Sequence, residues 1–130
     1  LARGRYDEAV AAAAEFLDIF GEDFFLELWD HGLAQEAYIC KQLYEISGRL
    51  SIPWLVTNNA HYAYPQKRII HDLLICLKHE LTLSTAGRRL RPNGSWYLKS
   101  AQEIYQQWRQ YPEGIKNTLL AAERCQFRLG

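Results

Sequence analysis

The sequence predicts an α/β fold, in which helices alternate with short parallel strands, followed by a helical segment. Three observations carry this prediction. Two long stretches before residue 51 repeat apolar residues at three- and four-residue steps, and each is followed by a short run rich in strand formers. After residue 80 turn residues and helix-start signals take over.

The elements follow in order. From Arg5 to Phe20 the apolar positions Ala9, Val10, Ala13, Phe16, Leu17 and Phe20 form one stripe, and Gly21 supplies the stop. Phe24 to Leu28 is too short for a helix and suits a strand. A second helix from Leu33 to Leu50 is expected to bury Ala37, Cys40, Leu43, Tyr44 and Ser47. Pro53 to Thr57 is nearly continuously apolar, the pattern of a strand covered on both faces. After Pro65 a helix from Gln66 to Lys78 is expected to bury Ile69, Ile70, Leu73, Leu74 and Leu77. Residues 81–99 are rich in turn signals, including Gly87, Pro92 and Asn93-Gly94. Ser100 with Glu103 fits a capping box, and Pro112-Glu113 opens a last helix with the stripe Ile115, Leu119, Ala122 and Cys125. The expected division is therefore an α/β part over 1–80 and a helical part over 81–130.

Composition bounds the function classes. With 48% hydrophobic and 13% aromatic residues in 130, one domain can bury a core and disorder is excluded. No apolar run approaches the ~18–20 residues that span a bilayer, so no membrane role is expected. The absence of methionine and the opening Leu-Ala-Arg-Gly read as a piece of a longer chain. Residues 1–65 carry four Lys/Arg and ten Asp/Glu, whereas 66–130 carry eleven and five. That asymmetry suits two faces with different partners, halves that attract each other, or simply an uneven solvated surface. Cys40, Cys76 and Cys125 form no Cys-x-x-Cys pair, which excludes a zinc ribbon; their helical stripes predict buried, reduced thiols.

Chemistry-bearing residues gather after the strands, where α/β folds place their sites. Asn59-Ala60-His61 follows the second strand. In extended chain alternate side chains point the same way, so an Asp-x-His pair could hold one divalent metal; here the neutral Asn amide is a weak ligand. The other reading of His61 is a hydrogen-bonded loop residue. Glu27, inside an apolar strand, should face the site or meet a cation. His31 follows the first strand, either at the site or on the surface while Asp30 caps a helix. His71 either lines the site or packs beneath its loop. Arg88, Arg89 and Arg91 suit phosphate contacts or salt bridges to the acidic half. No phosphate-binding glycine loop, nucleophile elbow or paired-Asp palm motif is present.

Taken together, Phe24-Phe25-Leu26-Glu27-Leu28 leading to His31-Gly32-Leu33, then Leu55 to Tyr62, His71 to Leu77, Tyr97 to Ser100 and Tyr111 to Cys125, resemble one family. It is the polymerase-and-histidinol-phosphatase (PHP) domain of the bacterial DNA polymerase III alpha subunit, with the segment linking it to the polymerase palm. The resemblance implies the last part of a distorted PHP-type β/α barrel over 1–80 and linker helices over 81–130. It implies a cytoplasmic replicative polymerase as parent chain, with DNA, a proofreading exonuclease and a sliding clamp as partners, and a piece that polymerises nothing itself. Asn59 and His61 match the family's Asp-x-His motif in degenerate form; Glu27 and His31 match recurring positions that are not ligands. A divalent metal (zinc, manganese or magnesium) is implied for the intact domain, with most ligands upstream and none held by this piece. The alternatives are a metal-dependent phosphoesterase or 3′–5′ exonuclease, and a docking module for the proofreading subunit.

Overall fold

The computed structural model describes residues 1–128 and 130; the Arg88 side chain, and with it the phosphate-contact expectation for that residue, lies outside the described part. The helices are α1 (Tyr6–Phe20), α2 (Ala34–Leu50), α3 (Arg68–His79), α4 (Ala101–Gln107) and α5 (Pro112–Arg124); the strands are β1 (Leu26–Leu28) and β2 (Trp54–Val56). Two compact units form, one from residues 1–57 with 102–130 and the other from 58–101.

In the first unit β1 and β2 pair in parallel, with Leu26 beside Trp54 and Leu28 beside Val56. Parallel neighbours need a crossover, and α2 provides it. Its exit is fixed locally: Ser51 takes a left-handed φ of 55°, Ile52 N–H returns to the Ser47 carbonyl, and the Ser47 hydroxyl donates to the Ile52 carbonyl at 2.7 Å. That reciprocal pair turns the chain at once from helix to strand and leaves buried Ser47 satisfied.

The core is Ala13, Leu26, Leu28, Ile46, Ile52, Trp54, Val56 and Trp108. α2 buries Ser47 and packs Cys40 and Leu43 against the core as expected, but leaves Ala37 exposed and Tyr44 half exposed and buries Ile46 in addition, so its inward face is shifted from the expected stripe. α1 buries Ala13 and leaves Phe16 and Phe20 about half exposed. α5 is no appendage, because it packs on β2. Its inward residues are Gly114 and, partly, Ile115, while Leu119 faces out. Asn117 Nδ2 donates to the Trp54 carbonyl at 2.7 Å, satisfying an edge group of β2 that has no third strand to bond among the described residues.

The second unit holds α3 and the turn-rich stretch. Here the sequence expectation fails in an informative way. Ile69, Ile70, Leu73, Leu74 and Leu77 are 46–75% exposed, and the helix buries Asp72 and Cys76 instead. Periodicity reports that a helix has two faces, and tertiary contacts decide which one is covered.

The cysteines divide as well. Cys76 is buried, Cys40 half-buried, and Cys125, expected inside, is exposed at the end of α5. Burial pushes the Cys40 thiol up to about 11, with the Asp30 and Glu36 carboxylates adding to the rise. At pH 8 roughly one Cys40 in a thousand is thiolate, so a disulfide reagent should label Cys125 quickly and Cys40 far more slowly. Equal rates in a timed labelling assay would contradict this assignment.

Candidate functional site

Each expected site residue other than Arg88 has a defined place in its own unit. In the first, Glu27 is exposed on the sheet, and Thr57 Oγ1, just past the end of β2, donates to Glu27 Oε1 at 2.6 Å. It meets a hydroxyl in solvent contact, not the cation expected. His31 is buried rather than on the surface. Its Nδ1 lies 2.8 Å from Glu36 Oε1, while its backbone N–H donates to Glu36 Oε2, also at 2.8 Å. Both carboxylate oxygens thus hold one residue, and Glu36, in the first turn of α2, ties down the loop ahead of the helix. Asp30 Oδ1 accepts the Gly32 N–H and closes an Asx turn, so it shapes the loop rather than capping α2.

The second unit brings the remaining candidates together. Residues 58–62 run beside 95–98: His61 N–H donates to the Trp96 carbonyl, Leu98 N–H donates to the Tyr62 carbonyl, and Tyr62 bridges Tyr97. Buried Asn58 clamps the pair, its Nδ2 donating to the carbonyls of Ser95 and Tyr97, both at 2.7 Å. The next residue, Asn59, has a φ of 42°. The chain there is left-handed rather than extended, so the alternation that was to align Asn59 with His61 does not apply.

His61 faces Arg91, with Arg91 Nη2 2.5 Å from His61 Nε2. A guanidinium only donates, so Nε2 is the acceptor and the ring carries its proton on Nδ1. Arg91 also lies over the Trp96 ring, 5.4 Å from its centroid. The His71 ring packs 5.2 Å from that of His61 and 5.8 Å from that of Tyr62, beneath the loop. Its Nδ1 is buried without a hydrogen-bond partner, 3.7 Å from Asp72 Oδ1. Arg68, one turn before Asp72, sits with Nε 3.4 Å from Asp72 Oδ2 and donates from Nη2 to the Arg91 carbonyl at 2.9 Å. Arg89 Nη1 lies 3.5 Å from His79 Nδ1, away from this cluster's hydrogen bonds.

These residues do not make a metal centre. The lone pair that His61 would offer from Nε2 is directed at a guanidinium, and the Asn59 amide is neutral. Among the described residues no three His, Cys, Asp or Glu side chains converge on one point. What the cluster can do chemically is donate hydrogen bonds from positive groups. Arg68 was not expected in it, although its spacing of four from Asp72 on an amphipathic helix was a readable signal.

The fold and this loop define the class: an α/β segment with parallel strands and a cationic loop after the second strand. Over nearly its whole length the chain matches a segment of the DNA polymerase III alpha subunit. The protein of that name from Treponema pallidum is 36% identical over 99% of this chain, and that from Mycobacterium tuberculosis is 42% identical over 95%. A protein named Error-prone DNA polymerase from Symbiobacterium thermophilum is 38% identical over 95%. The chain spans about a tenth of these relatives, 11% of the length in each case. No family model matches the chain. Among the described residues no helix is long and apolar enough to cross a membrane.

Proposed function

We propose that this chain is a scaffold section of a DNA polymerase III alpha subunit acting in chromosome replication, and that it polymerises nothing by itself. The observation that carries the reading is the match of 95–99% of the chain to 11% of the length of polymerase relatives. In this reading residues 1–80 close a PHP-type β/α barrel and 81–130 lead toward the palm. The parallel β1-α2-β2 unit fits a barrel of that kind. DNA, a proofreading exonuclease and a sliding clamp are then partners of the parent chain. A divalent metal in the intact domain would draw its donors from outside these residues, since His61 is engaged by Arg91.

A docking role is favoured by one further observation. The outward apolar face of α3, with Leu74 59% and Leu77 75% exposed, is the kind of surface that another part of a longer polypeptide or a partner subunit covers. A metal-dependent phosphoesterase has no such support, because the donor set here does not fit a metal.

Two measurements on the full-length protein test the reading. Primer extension should incorporate nucleotides, and a preparation that is folded but incorporates none would overturn the polymerase assignment. Zinc or manganese titration should give the same affinity for the parent protein and for Asn59→Asp, since the backbone at Asn59 is left-handed and His61 is engaged by Arg91. Binding that tightens about tenfold or more in Asn59→Asp would refute the account of Asn59 and His61.

A further inference from the structure

The basic character of the chain is concentrated in one unit. Residues 58–101 carry seven Lys/Arg against two Asp/Glu, while the rest of the chain carries eight against thirteen. Within that unit an open pocket of about 450 Å³ is lined by Arg68, Gly87, Leu90, Arg91 and Pro92. Among the described residues, both charged residues lining it are arginines and none is a carboxylate.

Each guanidinium offers five N–H donors. Arg68 uses one on the Arg91 carbonyl and sets its Nε near Asp72; Arg91 uses one on His61. Among the described residues their other donors meet no hydrogen-bond acceptor. Asp72 is 5% exposed, pairs with Arg68 only as an ion pair at 3.4 Å, and is absent from the pocket lining, so it orients Arg68 without closing the pocket. One carboxylate therefore stands against two guanidiniums that line the same concavity. The mutual repulsion of those cations is relieved by an anion between them. Arg91 is held by His61 and Trp96, and Arg68 by Asp72 and a backbone carbonyl, so both are positioned before any ligand arrives.

We propose that Arg68 and Arg91 form an oxyanion site that takes a phosphodiester group of a DNA strand. Guanidiniums pair with phosphate oxygens through parallel N–H donors, and a phosphodiester offers two free oxygens to the two that line this concavity. The surplus positive charge of the whole unit, including Lys67, Arg89 and Lys99, suits a polyanion better than a single phosphate. The choice of DNA among polyanions rests on the reading of the chain as part of a DNA polymerase.

Hydrogen exchange on the full-length protein tests the site, with a single-stranded oligonucleotide and inorganic phosphate as separate probes. The oligonucleotide should slow exchange across residues 87–98, and the protection should fall as salt rises. The double variant Arg68→Gln/Arg91→Gln should lose the protection and lower the slope of log affinity against log salt by roughly 1–2. Because Arg68→Gln removes a partner of Asp72, Arg91→Gln alone and the salt series on the unaltered protein provide readings that do not depend on that helix. Absent protection, protection that survives the double variant, or equal protection by phosphate at the same concentration would each overturn the proposal. Primer extension by the same preparation separates the two failures: extension without protection removes this site and leaves the polymerase reading standing.

Discussion

Replacing Gly114 with alanine should destabilise the protein, although the same change in most helices is stabilising. In a helix interior alanine gains about 1 kcal/mol over glycine. Here a Cβ would lie 2.2 Å from Trp54 Cζ3 and 2.8 Å from two further ring atoms. The ring cannot step aside. Trp54 is 4% exposed, with the rings of Tyr44 and Tyr111 edge-on at 5.4 and 6.0 Å. Either α5 lifts from β2, breaking the Asn117 bond to the Trp54 carbonyl, or the aromatic cluster is forced off its rotamers. Overpacking of this kind costs about 1–3 kcal/mol and occasionally more, and so deep an overlap belongs at the upper end. A net loss of about 2 kcal/mol is expected, read as a fall in Tm of several degrees with a changed near-ultraviolet tryptophan signal. A Tm equal to or above that of the parent would show that α5 does not press against Trp54.

Asn58→Asp is the second change with a large expected effect, and it alters one atom type at nearly constant shape. The Asn58 amide nitrogen donates to two carbonyls at 2.7 Å from a buried position. A carboxylate in its place turns two attractions into two repulsions and leaves the Ser95 and Tyr97 carbonyls without that donor. Each buried group so deprived costs about 1–3 kcal/mol. The clamp between 58–62 and 95–98 should open, which exchange at the Leu98 amide would report. The pH dependence has a definite sign. Burial and the facing carbonyls raise the pKa of the introduced carboxyl in the folded state, so the loss is full at high pH and shrinks as the pH falls and the proton restores a donor. Unchanged exchange at neutral pH would rule out the clamp.

Much of the fold was legible because it is local. α1 ends at Gly21 as its stripe indicates, α2 occupies nearly the expected span, and Pro112 opens α5. Both strands were legible in place but shorter than expected, because pairing with a single neighbour fixes their length: β1 begins at Leu26 rather than Phe24, and β2 ends at Val56. What periodicity could not supply was the identity of the covered face. Ile46 was absent from the expected stripe of α2 yet is 1% exposed, and the apolar stripe of α3 faces outward. Gly114 carried a usable signal, since glycine inside a helix often marks a close approach.

The candidate site divides along the same line. The sequence by itself determined the match to a DNA polymerase III alpha segment and the neutral amide at Asn59, because both depend on residue identity and order. It also placed a cationic stretch after the second strand. Only the tertiary structure decided what those residues do. It buried His31 behind Glu36, left Glu27 exposed beside Thr57, gave Asn59 a left-handed backbone, and set Arg91 against His61. It also drew Arg68 from α3 into the pocket of Arg91, a pairing 23 residues apart in sequence. Side-chain partners of that kind come from chain segments meeting in space, and short-range pattern holds no record of the meeting.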